Sequence, residues 1–265
     1  MTPSRKTRSL ASLVQYAVLP IGLLAGWEAL YRAGLIQGYS VTAPSLVLAE
    51  LAQLTVPSAD YGSLLVHIRS SLGLVLIGLS MAVVIGIPTG LAMAANPVLR
   101  RAFMPVLYVV RPLPPIALLP LAVALLGLGN ISRVALVCAA SWPTLTFTTF
   151  QAARSTNLVL LDAGRSLGAN RFQILTTIVV PASLPGMLTG FRVSASLSFM
   201  TIVAAELLGA TEGLGYLLSL GARNFDITLI CAALVVIAGV GLLMDRILWA
   251  VQHWLVSWES VDANV

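Results

Sequence analysis

The sequence predicts an all-α, polytopic membrane protein with six transmembrane helices. Three observations predict it. Hydrophobic residues make up 58% of the 265 positions and charged residues only 9%, against about 25% charged in a typical soluble domain. Mean hydropathy is +0.95, so lipid rather than water is the natural solvent for this surface. Apolar runs near the spanning length, roughly 20 residues, recur at about 13–33, 65–95, 102–127, 132–152, 183–209 and 227–251. The gaps between them are short and polar, and none is expected to fold as a soluble module, so residues 1–265 read as one membrane domain.

The first run follows Arg5, Lys6 and Arg8. It is long for the apolar core of a signal peptide, and no small-x-small cleavage site follows it, so an uncleaved first span is expected. Glu28 and Arg32 stand at i, i+4 near its end and are expected to pair. The second run is punctuated by Gly73, Gly78, Gly86, Pro88 and Gly90, and the third by Pro105, Pro112, Pro114, Pro115 and Pro120. Small residues let helices approach closely. Breaks are tolerated in a membrane only where protein covers the freed backbone. Both runs are therefore expected to face protein. Cys138 and Cys231 each lie inside an apolar run and read as small buried hydrophobes rather than a disulfide or metal pair.

Arginine placement orients the chain. With the N-terminus inside, Arg5, Lys6, Arg8, Arg100, Arg101, Arg154, Arg165, Arg171 and Arg246 fall on inner segments, and Arg32, Arg69, Arg133 and Arg223 on outer ones. The positive-inside rule then favours both termini inside. Most of the acids Glu50, Asp60, Glu212 and Asp226 fall outside. The net charge of +5 is spread over fourteen arginines and one lysine, scattered or paired. That pattern suits membrane edges, not a nucleic-acid surface.

The segment at about 155–181 is unusually polar for this chain and lies on the inner side. Asn157 is placed to cap a helix of about ten residues. Gly168 stands where a terminating glycine belongs, and Asn170 with Gln173 forms a capping-box pattern for a second helix. Leu160, Leu161 and Leu167 give the first helix an apolar side opposite Asp162 and Arg165. Phe172, Leu175 and Val179 recur at helical spacing in the second, and Pro181 and Pro185 are expected to end it before the next span. The residues leave two readings open, a docking element or a loop lying on the bilayer interface. A DNA-binding helix-turn-helix is disfavoured, because membrane spans flank the segment and its basic content is Arg165 and Arg171 alone.

The spacing of Asp162-Ala163-Gly164, Gly168, Ile178 and Pro181 resembles the EAA loop of permease subunits of bacterial ABC importers. That pattern reads Glu-Ala-Ala, three residues, Gly, nine residues, Ile, then Leu-Pro. Here Asp162 replaces Glu, Gly164 the second Ala, and Val180 the Leu. Further stretches, in order, are similar to the taurine, sulfonate and nitrate permease group. They are Gly26-Trp27-Glu28, Ala43-Pro44-Ser45, Ser70-Ser71-Leu72, Arg111 through Pro120, Pro181 through Pro185 with Thr189 through Arg192, and Ala205 through Ala210 with Gly213 through Tyr216.

The resemblance implies a type I importer permease fold in the bacterial cytoplasmic (inner) membrane. It implies a homodimer with two ATP-binding subunits and an extracytoplasmic substrate-binding protein. ATP and Mg²⁺ would be bound by the partner, this chain carrying no cofactor of its own. Asp162, Ala163, Gly164, Gly168, Ala169, Ile178 and Pro181 would dock the ATP-binding subunit. A small anion would be the cargo, with sulfonate- or taurine-like compounds leading and nitrate or small heterocyclic precursors as alternatives.

The residues themselves show no catalytic set. No phosphate-binding G-x-x-x-x-G-K-[ST] loop is present, and His67 and His253 lack metal-ligand spacing. An ion-gradient-driven carrier is the rival class; it would call for intramembrane acids or an inverted repeat, and no repeat is evident. Candidates for the substrate pathway are Arg111, Pro114, Pro115, Trp142, Met200 and Glu206. Arg111 lies roughly 15 Å beyond Arg101 along a helix, where a charge either faces a cavity or reaches back to the interface. Helix packing competes for Trp142, Pro143 and Met200, and a structural ion pair for Glu206. Arg223, Asn224 and Asp226 lie in an outer segment that either meets the binding protein or is a plain loop.

Overall fold

The computed structural model describes residues 5–36, 41–56 and 62–256, with side chains from residue 18 onward. Arg5, Lys6, Arg8 and Asp60, which carry part of the charge asymmetry, lie outside the described side chains. Among the described residues the secondary structure is helical: α1 (Arg5–Arg32), α2 (Pro44–Leu54), α3 (Leu64–Ala95), α4 (Pro97–Val110), α5 (Leu119–Leu126), α6 (Asn130–Arg154), α7 (Leu158–Ser166), α8 (Arg171–Glu206), α9 (Leu214–Arg223) and α10 (Ile227–Leu255). The chain packs as two compact units. One combines the chain up to Leu65 with Leu217–Val236; the other combines Val66–Tyr216 with the chain from Ile237 on.

Helices α3, α8 and α10 are long and apolar enough to cross a membrane. The third apolar run is not one rod. Helix α4 ends at Val110, a short 3-10 turn spans Pro115–Leu118, and the direction changes by 95° before the chain continues into α5. The cause is local. Pro112, Pro114 and Pro115 donate no backbone hydrogen bond, and each disfavours helix in the residue before it.

In the smaller unit, two stretches far apart in sequence meet. Arg32 Nε donates to Glu28 Oε1 at 2.7 Å, the expected i, i+4 pair. Glu28 also accepts from Ser45, by Oγ at 2.8 Å and by the backbone amide at 3.1 Å. That carboxylate thus ties the end of α1 to the first turn of α2. Val47, Leu54, Leu217, Leu229, Ala232 and Ala233 form a buried apolar cluster. Thr42 and Thr228 share a hydrogen bond of 3.0 Å, and Asp226 caps the start of α10 through the Leu229 amide at 3.0 Å. Burial first, and Asp226 second, push the Glu50 carboxyl above its ordinary value.

In the larger unit α6 is the hub. Gly78, Ala82, Gly86 and Gly90 recur every four residues on α3 and are buried, while Leu76, Ile77, Val84 and Ile85 on the opposite side are exposed. A side chain at Gly78 would stand 2.6 Å from Val137, and one at Gly90 would stand 2.6 Å from the Thr146 carbonyl. Close approach through small residues is how helices associate when lipid is as apolar as leucine. Helix α8 closes on α6 in the same way: a Cβ at Gly186 would meet Ala152 at 2.7 Å, and one at Gly190 would run into the Thr148 hydroxyl. Ser141 and Ser198 hydrogen-bond across that seam.

Helix α8 departs from expectation. The fifth span was expected at 183–209, preceded by a proline-terminated short helix. Instead the helix runs unbroken from Arg171 to Glu206. Residues Ile174–Val179 form a π turn directly before Pro181. Wider i→i+5 bonding there absorbs the carbonyl that the proline ring would otherwise strike, so Pro181 bends the bonding pattern without ending the helix.

These contacts predict that Gly190→Val, at the tightest point of the α6–α8 seam, destabilises the detergent-solubilised protein by about 1–3 kcal/mol, the usual cost of overpacking. Gly73→Ala on α3 meets nothing within 4 Å and, alanine being the better helix former, should leave the thermal midpoint no lower than the wild type's. Thermal unfolding of the two variants beside the wild type checks both.

Candidate functional site

The elbow between α6 and α8 is built by its own caps. Asn157 Oδ1 accepts from the Val159 amide at 2.9 Å and starts α7. Its end is a Schellman turn. The Ala169 amide donates to the Gly164 carbonyl at 3.1 Å and the Gly168 amide to the Arg165 carbonyl at 3.0 Å, with Gly168 at φ +78. Only glycine or asparagine adopts that backbone cheaply. Two residues on, Asn170 and Gln173 exchange hydrogen bonds of 2.8 Å in a full capping box. A terminator and an initiator back to back leave the chain one path through the turn.

The elbow is also packed. Gly164 is the buried residue of α7, and a Cβ on it would sit 2.6 Å from Ile178 Cδ1 in the π turn. The departure from alanine at this position therefore has a spatial cause: glycine lets α7 lie against Ile178. Asp162 and Arg165 form an exposed ion pair of 2.8 Å on the opposite side. Leu158, Val159, Leu167 and Phe172 are all more than 70% exposed, so the elbow presents apolar surface as well as charge. Leu158 and Val159 were not singled out in the sequence, because residues flanking a cap carry no periodicity of their own.

A second site gathers motifs that looked unrelated in sequence. Glu206, at the end of α8, is fully buried. Ser71 Oγ on α3 donates to its carboxylate, at 2.7 Å to Oε1 and 2.9 Å to Oε2, and the Gly215 amide donates to Oε2 at 2.8 Å. Ser71 Oγ in turn accepts from the Leu214 amide at 2.8 Å, and His67 Nδ1 from the Gly213 amide at 3.1 Å. His67 also stacks on Tyr216, with ring centroids 5.7 Å apart. Gly213, at φ +118, passes so close that any side chain there would collide with the Glu206 carboxylate. The ion pair expected for Glu206 does not form among the described residues. Arg133 is buried too, but its Nη1 goes to Asn130 at 3.1 Å. Hydroxyl and amide donors satisfy this carboxylate instead, which makes it the anchor of the chain entering α9.

A third site surrounds Arg111, at the C-cap of α4. A cavity of about 460 Å³ is lined by Tyr108, Arg111, Pro112, Thr144, Val193 and Leu197. The Arg111 guanidinium lies 3.9 Å over the Phe147 ring. Of the pathway candidates, Arg111 alone lines this space. Met200 is exposed on the same stripe of α8 as Val193 and Leu197, at i, i+4, i+7. Trp142 packs with the Met93, Leu107 and Phe150 cluster. Pro114 and Pro115 make the bend rather than the wall, and Glu206 belongs to the buried anchor. Tyr108, Thr144, Val193 and Leu197 carried no motif and became visible only when the helices came together. In the segment before α10, Asp226 is the cap described above, and the exposed Phe225 beside it has φ +55.

Comparison with known proteins identifies the family. The family model described as "Binding-protein-dependent transport system inner membrane component" matches residues 82–257, which include the elbow and the Arg111 cavity. The chain is 32% identical over 262 residues to the taurine transport system permease protein TauC of Escherichia coli (strain K12), covering 97% of this chain and 95% of the relative. It is 30% identical over 271 residues to the nitrate import permease protein NrtB of Synechocystis sp. (strain ATCC 27184 / PCC 6803 / Kazusa), covering 98% of this chain and 97% of the relative. Among solved structures, an inward-facing conformation of the MetNI methionine ABC transporter superposes with a TM-score of 0.58 at 20% identity. It covers 70% of this chain and 94% of that one, which is a likeness of fold.

The Gly164–Ile178 contact predicts a compensating pair. Gly164→Ala should speed amide hydrogen exchange across residues 159–167, and adding Ile178→Val, which removes the Cδ1 that Gly164 faces, should restore it. The coupling expected for side chains in contact is about 0.5–3 kcal/mol. At the second site, Glu206→Ala leaves buried donors of Ser71 and Gly215 without an acceptor. A loss of about 1–3 kcal/mol for each is expected, read as a lower thermal midpoint.

Proposed function

The chain belongs to the binding-protein-dependent inner membrane components of ABC importers, multi-pass proteins of the inner membrane, and we propose that it couples ATP hydrolysis in a partner to anion passage through its capped elbow. Residues 1–265 act as one permease domain with six spans and both termini inside. Two copies pair, two ATP-binding subunits dock from the inner side, and a substrate-binding protein delivers cargo from the outer side. ATP and Mg²⁺ belong to the ATP-binding subunits.

The observation that carries this reading is the elbow. It combines a Schellman turn, a capping box and a packed glycine with exposed apolar side chains and an exposed ion pair. A segment stiffened on its inside and left apolar on its outside is suited to transmit a push. Asp162, Ala163, Gly164, Gly168, Ala169, Ile178 and Pro181 hold its shape or face the partner. Because α8 runs unbroken from Arg171 to Glu206, movement imposed on the elbow is delivered along one continuous helix, whose side chains also line the Arg111 cavity. Closure of the ATP-binding subunits would bias a two-state arrangement of the helices. The cargo is a small anion of the sulfonate or taurine type, with nitrate or a small heterocyclic precursor as alternatives within the same class.

Co-purification with the ATP-binding subunit tests the docking. Gly168→Val, which cannot adopt φ +78 without strain, should reduce the co-purified subunit at least tenfold. Gly168→Asn should retain most of it, and Asp162→Ala should reduce it a fewfold. Unchanged assembly and unchanged ligand-stimulated ATP turnover in both Gly168→Val and Asp162→Ala would sink the docking role.

A further inference from the structure

We propose that His67 is an acid-sensitive latch: its neutral ring holds the loop that enters α9, and protonation of the ring lets that loop go. On the permease reading above, this end of α8 faces outward, so the pH sensed is that on the outer side of the membrane. The latch itself does not rest on that reading.

The loop between α8 and α9 is fastened by three successive backbone amides, each to a different side chain. The Gly213 amide donates to His67 Nδ1 at 3.1 Å, the Leu214 amide to Ser71 Oγ at 2.8 Å and the Gly215 amide to Glu206 Oε2 at 2.8 Å. His67 and Ser71 sit one turn apart on α3, and Glu206 ends α8. The loop is therefore held in this way only while α3 and the end of α8 are together. All three side chains are buried, His67 at 3% exposure and Ser71 and Glu206 at 0%. A donor that loses its acceptor here is left unsatisfied, at the full cost of its desolvation.

The three acceptors differ in one respect. A hydroxyl accepts at any ordinary pH. An imidazole nitrogen accepts only while it carries no proton, and both ring nitrogens are donors once the ring is charged. The bond from Gly213 thus requires the neutral ring with Nδ1 unprotonated. A proton on Nδ1 would point at the Gly213 N–H, and the ring would have to turn away. Tyr216, in the first turn of α9, stacks on that ring with centroids 5.7 Å apart, so a turned ring also gives up its contact with α9. Imidazole is the side chain that ordinarily changes charge between pH 5 and 8. The latch is closed on the alkaline side and opens as pH falls.

The charged and titratable groups around the latch, among the described residues, come from each element that meets there. Glu206 on α8 belongs to the same hydrogen-bonded cluster, and Arg133 on α6 acts electrostatically on its carboxylate. Tyr216 supplies the stacked ring on α9. Glu212, next to Gly213 in the loop, and Arg69, two residues along α3, are exposed. A charged His67 ring drawn toward Glu206 leaves Gly213 all the same. Protonation of Glu206 would loosen the loop in the same direction, because a carboxylic acid offers fewer lone pairs to Ser71 and Gly215. A side chain at position 67 that accepts without titrating separates the two. Glutamine is such a side chain, with an amide oxygen for the Gly213 N–H.

Hydrogen exchange of the full chain in lipid nanodiscs reports the loop directly. It is read by mass spectrometry at pH 8 and pH 5, corrected for the intrinsic effect of pH on exchange. In the wild type, protection across residues 210–217 should fall about tenfold on acidification, the change expected for one buried hydrogen bond. His67→Gln should begin near the wild-type protection at pH 8 and keep it at pH 5. An equal fall in both proteins overturns the proposal and assigns the acid response to Glu206. No fall in the wild type overturns it as well. Should His67→Gln fail to fold, ring-nitrogen NMR of His253→Gln, which leaves His67 as the one histidine, decides instead. The Nδ1 signal should be that of an unprotonated nitrogen at pH 8 and of a protonated one at pH 5. A proton on Nδ1 at pH 8, or none there at pH 5, overturns the latch.

Discussion

Backbone hydrogen bonding in a lipid-solvated chain is the constraint on which the rest of the structure depends. An unpaired N–H or C=O costs several kcal/mol in hydrocarbon, and a chain with 9% charged residues has little else with which to meet water. Helix satisfies the backbone locally, so helix is used nearly everywhere. Irregular backbone survives where protein covers it or where it borders a cavity. The 95° bend after Val110 lies beside the Arg111 cavity, and the loop from Glu206 to Leu214 is held by Ser71, His67 and the Glu206 carboxylate.

The second determinant is distance of approach. Without a hydrophobic drive between helices, contact area has to come from close packing. Gly78, Gly86 and Gly90 bring α3 onto α6, and Gly186 and Gly190 bring α8 onto it as well. The same device recurs at the elbow, where Gly164 admits Ile178. Helix α6 therefore serves as a fixed reference against which α8 carries both the elbow at one end and the Glu206 anchor at the other.

The elbow was legible because its determinants are local. Asn157, Gly168, Asn170 and Gln173 act within four residues of themselves, so the caps could be placed from sequence and were found there. The end of the second helix was misplaced for a related reason. Pro181 is a local signal for a stop, but the helix passes it through a π turn, whose Ile174 and Ile178 lie against α7. Met200, Trp142 and Glu206 illustrate the same limit. Apolar or acidic character inside a span is compatible with packing, pathway or anchor, and only the neighbours on other helices separate the three.

By itself the sequence determined the all-helical class, the positions of the apolar runs, the capped turn at 157–173 and, through spaced motifs, the family. These depend on composition, periodicity and contacts a few residues apart, all of which are written along the chain. Tertiary structure alone decided that Ser71 and Gly215 satisfy Glu206, that Gly164 makes room for Ile178, and that Arg111 lies over the Phe147 ring beside a cavity shared with Thr144, Val193 and Leu197. The physical reason is that hydrogen bonds and van der Waals contacts act over a few ångströms. Between residues tens of positions apart, the distance is set by how closely the glycine faces allow the helices to approach.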